Sequence, residues 1–180
     1  DFSQDDKHRR QVKLLAEALH YYACGVWQAQ SRPETAKNTV KWLNNRGIDD
    51  ISIMSSVGML PRQQALEDAI SAVGGNTEDF HAARRLLGTY ITAKYMDAVV
   101  FIYAKSPSEI TAFKIRIPGP EKEIVTVRVD EEDAGAFGVL NAAYVPFYNT
   151  EHVTQFSVVE GEFDQMAIYR GQVDQGSTDE

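Results

Sequence analysis

The sequence predicts an α+β fold in which a helical N-terminal unit packs on a small antiparallel sheet. Apolar residues recur at helical spacing through most of the first half of the chain. From Asp97 onward the pattern changes to alternation with a period of two, which is typical of strands. A short apolar run then ends at Glu160 and Gly161, and a new helical pattern follows. These changes predict three segments, residues 1–95, 96–152 and 153–180.

Helices dominate the first segment. A long amphipathic helix is expected over residues 5–29, with Cys24 in its apolar stripe. Ser31 to Glu34 reads as a capping box, and Gly47 can end that second helix in the left-handed conformation. The remaining expected elements are a short helical turn over residues 49–54, a helix opened by Pro61 and a helix capped by Thr77.

Three strands are expected in the second segment. They cover residues 98–104, 110–117 and 124–129, and turns rich in Pro, Ser and Gly separate them. Short connections between consecutive strands favour an antiparallel meander.

Composition limits the class of protein. With 180 residues and 43% hydrophobic content, the chain can bury one substantial core or two small ones. A single cysteine excludes an internal disulfide and a cysteine-rich zinc site. No apolar run approaches the roughly 20 residues of a membrane span, and the first residues lack a signal-peptide pattern. We therefore expect a cytoplasmic protein without a membrane partner.

Charge is distributed unevenly along the chain. Residues 1–95 carry 12 Lys and Arg against 11 Asp and Glu, whereas residues 96–180 carry 6 against 15. A phosphate-facing surface is thus expected on the first half, and carboxylate metal ligands on the second. Lys7, Arg9 and Arg10 are cations in the first turns of a helix, which indicates either a solvated helix end or part of a phosphate-attracting patch.

Glu160 and Asp164 are the candidate metal ligands. A strand predicted over residues 156–159 places Glu160 at its carboxyl end, where open α/β sheets bind ligands. Two carboxylates within one turn of each other are hard oxygen donors that suit Mg²⁺, with Mn²⁺ as an alternative ion. Mg²⁺ in turn suits phosphates.

Residues 158–164, Val-Val-Glu-Gly-Glu-Phe-Asp, resemble the first motif of the Toprim fold in the form that bacterial-type (DnaG-like) DNA primases carry. Other segments are similar to elements of the primase catalytic core in the same order. Among them, Thr-Val-Lys-Trp-Leu-Asn-Asn-Arg-Gly-Ile at residues 39–48 resembles a helix ending in an Arg-Gly signature. The further similar segments are residues 14–22, 74–83, 99–103, 110–116 and 136–142.

The resemblance implies part of a DNA primase, a nucleotidyltransferase that makes RNA primers for DNA replication. Its partners would be a single-stranded DNA template and nucleoside triphosphates, with a replicative helicase as a further partner. Glu160 and Asp164 would be the catalytic carboxylates that hold Mg²⁺. Arg46, Lys114, Arg116 and Lys122 would bind phosphates of the nucleic acid or nucleotide.

Two features of the primase family are absent from the sequence: the second acidic motif, Asp-x-Asp, and the zinc module. The expectation is therefore a fragment, with only the start of a Toprim domain, that is inactive alone. Two alternatives stay open. One is a non-catalytic module that binds nucleic acid or a replication partner. The other is a Toprim nuclease or topoisomerase, families that lack an upstream helical unit with the signature Arg46-Gly47-Ile48.

Overall fold

The computed structural model describes residues 3–106, 109–120, 123–129, 163–164 and 166–167, and within them the chain forms a mixed α+β fold. The helices are α1 (Gln4–Gln28), α2 (Glu34–Asn44), α3 (Gln63–Ala72) and α4 (Thr77–Leu87). The strands are β1 (Val57–Met59), β2 (Val99–Ser106), β3 (Glu109–Arg116) and β4 (Ile124–Arg128). Single turns of 3-10 helix at Gly88–Tyr90 and Ala93–Tyr95 lie between α4 and β2. The α+β class is confirmed. None of the helices in these ranges is long and apolar enough to cross a bilayer.

The sheet is antiparallel throughout, in the order β1-β2-β3-β4. The predicted meander of β2, β3 and β4 is confirmed. The expected helical turn over residues 49–54 is wrong, because residues 51–53 form a bend and a turn and residues 49, 50 and 54 have no regular structure. Asp50 Oδ1 accepts hydrogen bonds from the backbone N–H and the hydroxyl of Ser52, at 2.9 and 2.6 Å. The Asp50 side chain thus gives the Ser52 N–H an acceptor that a helix would otherwise provide.

The starts of α2 and α4 differ from the sequence prediction. Asn76, not Thr77, is the N-cap of α4, and it forms a capping box with Asp79. No side chain caps α2, which follows Pro33 in extended conformation, so the predicted Ser31 box is absent. Arg32 instead donates to the backbone carbonyls of Val26 and Trp27 at the end of α1. The last carbonyl groups of a helix have no hydrogen-bond donor within the helix, and Arg32 supplies one for these two.

Apolar residues cover both faces of the sheet. On one face, Val100, Ile102, Phe113 and Ile115 pack with residues from α1, α3 and α4. On the other face, Val99 and Phe101 pack with a second cluster that draws on α2 and the segment before β1. The members of that second cluster include Ala23, Leu43, Ile48, Ile51, Met54, Val57, Met59 and Met166. The sheet therefore lies in the middle of the described fold.

Gly58 sets the distance between β1 and α1. A Cβ added at Gly58 would lie 2.8 Å from Leu19 Cβ and 2.9 Å from the Leu19 backbone carbon. We therefore expect Gly58→Ala to lower the free energy of unfolding by about 1 to 3 kcal/mol, because a packed core must shift to admit the methyl group. Urea denaturation monitored by circular dichroism measures this change.

Gly25→Ala is the matched control. Gly25 lies inside α1, and nothing lies within 4 Å of an added Cβ. Alanine should raise stability there by about 0.5 to 1 kcal/mol, since glycine is the poorer helix former. Equal effects of the two substitutions would contradict the close approach at Gly58.

Candidate nucleic-acid interface

Strand register places two predicted phosphate-binding cations on one face of the sheet. Phe101 of β2 pairs with Lys114 of β3, and Val99 pairs with Arg116. Directly paired residues project from the same face. Because Val99 and Phe101 belong to the apolar cluster on the α2 side, Lys114 and Arg116 also lie on that side. Both cations are partly exposed, and Lys114 Nζ lies 5.9 Å from the centre of the Tyr103 ring.

The end of α2 brings a third predicted cation to this side. Gly47 adopts a left-handed φ of +80°, and the Gly47 and Ile48 N–H groups bond back to the carbonyls of Asn44 and Leu43. This turn terminates the helix and leaves Arg46 two residues beyond its last residue, Asn44. A cation at this end interacts favourably with the negative end of the helix dipole. Arg46 Nη1 also donates to the Trp42 carbonyl at 3.4 Å.

Trp42, Arg46, Arg116 and Phe163 meet as an arginine–aromatic cluster. Arg46 Cζ lies 3.9 Å from the centre of the Trp42 ring, and Arg116 Cζ lies 4.9 Å from it. The same two guanidinium carbons lie 5.2 and 5.7 Å from the centre of the Phe163 ring. The two rings meet edge to face, with centres 5.2 Å apart. Both guanidinium groups are therefore within cation–π distance of both rings.

The end of the predicted metal motif reaches this cluster through Phe163. Residues 163, 164, 166 and 167 have helical backbone. Met166 is fully buried in the core on the α2 side, and Phe163 meets Phe101 edge to face with centres 5.6 Å apart. Asp164, between these two anchors, is exposed. Asp164, a carboxylate from the acidic half of the chain, thus follows directly after Phe163, which contacts Trp42 from the first half.

The arrangement suits recognition of a phosphate chain. An arginine held against an aromatic ring loses less side-chain freedom on binding, and its planar fork can form two parallel hydrogen bonds to phosphate oxygens. Aromatic rings beside such cations can also stack nucleobases, which is how single strands are commonly held. Two guanidinium groups around one aromatic pair therefore combine the donors and the rings that recognition of a polyanion with planar groups requires.

The structure brings together some of the predicted site residues. Arg46 and Arg116 share the cluster, Lys114 lies on the same sheet face, and Asp164 follows Phe163. Glu160 and Lys122 lie outside the described residues, as do the predicted strand over 156–159 and the segment 136–142.

Trp42 and Phe163 were not among the predicted site residues. Trp42 precedes Arg46 by four positions at the predicted end of the second helix, a spacing that puts helical side chains in contact. The contact between Trp42 and Arg46 could therefore have been predicted from the sequence. The meeting of Trp42 with Phe163, at a separation of more than a hundred residues, had no such signal.

Asp164 is suited to a metal by its chemistry, as an exposed hard oxygen donor. Across the residues that the structure describes, no group of three or more His, Cys, Asp or Glu side chains is placed to hold a metal ion. The predicted partner of Asp164, Glu160, is not among those residues.

Asp97, two residues before β2, connects that strand to α1 and α2. Its Oδ1 accepts a hydrogen bond from the Tyr22 hydroxyl at 2.6 Å, and its Oδ2 accepts one from the Thr35 hydroxyl. Its backbone carbonyl accepts from Thr39 Oγ1 at 2.7 Å. Asp97 is 1% exposed and has φ of +59°, a conformation that aspartate tolerates better than most residues. Sequence reasoning missed this role, because Asp97 appeared only as the point where the pattern changed.

Tyr22 makes the free energy of unfolding depend on pH in the alkaline range. Burial, and then the hydrogen bond and charge of Asp97, raise the pKa of the Tyr22 hydroxyl above its ordinary value of 10.0. The unfolded chain therefore loses this proton at lower pH than the folded chain, and the stabilisation is complete below pH 10 and is lost as pH rises further. We expect Tyr22→Phe to cost stability at pH 8 and progressively less above pH 10, as measured by urea denaturation at several pH values.

Tyr21→Phe is the control, since Tyr21 is the neighbouring tyrosine and is 54% exposed. A difference between wild type and Tyr22→Phe that stays constant from pH 8 to beyond 10 would contradict the coupling of Tyr22 to Asp97.

Cys24 is not a candidate nucleophile. Burial raises the pKa of its thiol, and the charge of Asp50 adds to that shift. Reactive cysteines instead have a lowered pKa and a cationic environment. Cys24 Sγ lies 3.4 Å from His20 Nε2, and His20 Nδ1 bonds the Val57 carbonyl at 2.8 Å. The pair therefore links α1 to β1. Cys24 itself is partly buried and packs against the core cluster on the α2 side.

Comparison of the chain with models of protein families, with curated proteins and with solved structures gives no match in any of the three.

Proposed function

We propose that this chain is part of a DNA primase, in which the arginine–aromatic cluster binds phosphates of the single-stranded template or the incoming nucleotide. The observation that carries the proposal is the convergence of Arg46 and Arg116 on Trp42 and Phe163. Both arginines are positions that the family resemblance assigns to phosphate binding. Residues from opposite ends of the chain thus come together around cations of the expected type.

The proposed chemistry is nucleotidyl transfer. Glu160 and Asp164 would hold Mg²⁺, which when bound would stabilise charge on the attacking and leaving oxygens. The task of Arg46, Arg116 and Lys114 is to orient the phosphates and neutralise their charge. Orientation of this kind is a large part of phosphoryl-transfer catalysis, because the reaction needs little covalent chemistry from the protein. In this proposal residues 153–180 are the start of a Toprim domain.

Primer synthesis by the protein that contains this chain tests the proposal. Arg116→Gln should lower the rate on a single-stranded template by about ten-fold or more, because a hydrogen bond to a charged group contributes about 1.5 to 3 kcal/mol. Glu160→Gln should abolish synthesis. Lys41→Gln is the control, since Lys41 is an exposed cation of α2 outside the cluster. Unchanged synthesis with Glu160→Gln would reject the catalytic assignment.

A non-catalytic module that binds single-stranded nucleic acid is the second candidate. It is favoured by the cluster itself, because cations and aromatic rings bind single strands without a metal. This candidate predicts binding that depends on Arg46 and Arg116 but is indifferent to Glu160→Gln and to magnesium. The primase proposal predicts in addition a magnesium-dependent activity.

A further inference from the structure

One face of α2 carries both its hydrogen bonds to Asp97 and its part of the arginine–aromatic cluster. Thr35, Thr39, Trp42 and Arg46 follow one another at intervals of four, three and four residues, and this spacing puts helical side chains on one face. Arg46 continues the series in the turn after the helix, where its Cζ lies 3.9 Å from the centre of the Trp42 ring. Any rotation of α2 about its axis therefore moves the two threonines and the two cluster residues together.

Thr35 and Thr39 attach α2 to one residue at two points. The Thr35 hydroxyl donates to Asp97 Oδ2, and Thr39 Oγ1 donates to the Asp97 backbone carbonyl at 2.7 Å. Thr39 and Asp97 are each 1% exposed, so the bond between them is shielded from water. Two donors one helical turn apart, about 5 to 6 Å along the axis, hold the helix against both sliding and rotation.

Asp97 is itself tied to Arg116 through the sheet. It lies two residues before Val99, the first residue of β2, and Val99 pairs with Arg116 of β3. The Asp97 N–H also bonds to the Leu60 carbonyl at 2.8 Å, next to β1. Asp97 is thus fixed to the sheet, whereas the Trp42 ring moves with α2. The threonine hydrogen bonds therefore set how that ring meets Arg116, whose Cζ lies 4.9 Å from the ring centre.

We propose that Thr35, Thr39 and Asp97 are positioning residues for nucleic-acid binding at the arginine–aromatic cluster. They hold α2 in the rotation that brings Arg46 and Arg116 to the same aromatic ring. Binding to a site that is already arranged costs less free energy, because fewer groups must be ordered on association. The inference rests on the proposed function, since it concerns the affinity of the same cluster.

Thr39→Val tests the proposal, because valine has a similar shape to threonine but cannot donate to Asp97. The probe is a fluorescein-labelled oligothymidylate of about 12 nucleotides, which is within the range of single-strand site sizes. Fluorescence anisotropy at low salt should show binding weakened by about three-fold or more with Thr39→Val. Thr39→Ser retains the hydroxyl and should stay within about two-fold of wild type. Circular dichroism checks that each variant is folded.

Tyr22→Phe is the matched control. The Tyr22 hydroxyl donates to the same carboxylate, 2.6 Å from Asp97 Oδ1, but it belongs to α1. This substitution should lower stability yet change the affinity by less than about two-fold, because both hydrogen bonds from α2 are kept. If Tyr22→Phe weakened binding as much as Thr39→Val, only the stability of the fold would connect Asp97 to binding, and the proposal would be overturned.

Combination with Trp42→Ala separates positioning from a purely structural role. If Thr39 acts by placing the Trp42 ring, the effect of Thr39→Val on affinity should fall below about two-fold in the Trp42→Ala background, because coupled residues are not additive. A structural role would give the same fold-loss of affinity in both backgrounds. That result would also contradict the proposal.

Trp42 fluorescence tests the positioning without a ligand. The chain has two tryptophans, so Trp42 is the single emitter after Trp27→Phe. In that background Thr39→Val should increase acrylamide quenching, because rotation of α2 moves the partly buried ring away from Phe163, whereas Thr39→Ser should leave quenching unchanged. Unchanged quenching with Thr39→Val would contradict the positioning itself. Absence of oligonucleotide binding by wild type would instead contradict the proposed function on which the inference rests.

Discussion

Asp97→Ala is expected to lower the free energy of unfolding by about 2 to 4 kcal/mol. The substitution removes the acceptor for the Tyr22 and Thr35 hydroxyls, which come from α1 and α2. Both hydroxyls are partly buried, and a donor that is withdrawn from water and loses its acceptor costs about 1 to 3 kcal/mol. Alanine also tolerates the φ of +59° less well than aspartate. Urea denaturation followed by circular dichroism measures the loss.

Asp97→Asn is the matched variant. Asparagine keeps one side-chain acceptor oxygen and adopts left-handed backbone readily, so it should cost about 1 kcal/mol. A loss below about 1 kcal/mol for Asp97→Ala would show that the junction of α1, α2 and β2 does not depend on this carboxylate.

Trp42→Ala is expected to reduce the affinity for a single-stranded oligonucleotide by about ten-fold or more. Its ring lies against both guanidinium groups, 3.9 Å from Arg46 Cζ and 4.9 Å from Arg116 Cζ. Without the ring, both cations gain freedom that binding must remove. A stacking surface worth about 1 to 3 kcal/mol per base is removed as well. Fluorescence anisotropy at low salt measures the change.

Trp42→Phe separates the aromatic platform from general packing. Phenylalanine keeps a ring under Arg46 and should retain most of the affinity, whereas Trp42→Leu fills the space without a π face and should behave like Trp42→Ala. Trp42 is only partly buried, so the variants are expected to fold, which circular dichroism checks. Equal affinity of Trp42→Phe and Trp42→Leu would contradict the role of the ring.

Most elements of the fold could be predicted from local patterns, because helices α1 to α4 and strands β2 to β4 have clear periodicity. Strand β1 could not, since it has three residues and exists through pairing with β2. Asp50 and Ser52 explain a second error: their local hydrogen bonds take the place of the short helix that was expected over residues 49–54. Local signals fail where long-range pairing or a side-chain turn decides the backbone.

The candidate site was predictable in its charges but not in its aromatic part. Arg46 and Arg116 follow from the family resemblance and from their positions at a helix end and on a strand. Phe163 reaches them only because Met166 and Phe163 pack on the sheet beside Phe101. Such tertiary contacts leave no periodic trace in the sequence.

The salt dependence of single-stranded DNA binding tests the central claim most directly. For single strands, log K decreases with log salt, and this negative slope becomes shallower by about 0.7 for each phosphate that the protein no longer neutralises. The double variant Arg46→Gln, Arg116→Gln should therefore have a slope smaller by about 1.4 than wild type. Lys37→Gln with Lys41→Gln, on exposed lysines of α2 outside the cluster, should leave the slope within about 0.3 of wild type. Equal slopes for wild type and the arginine double variant would contradict the claim that Arg46 and Arg116 bind phosphates.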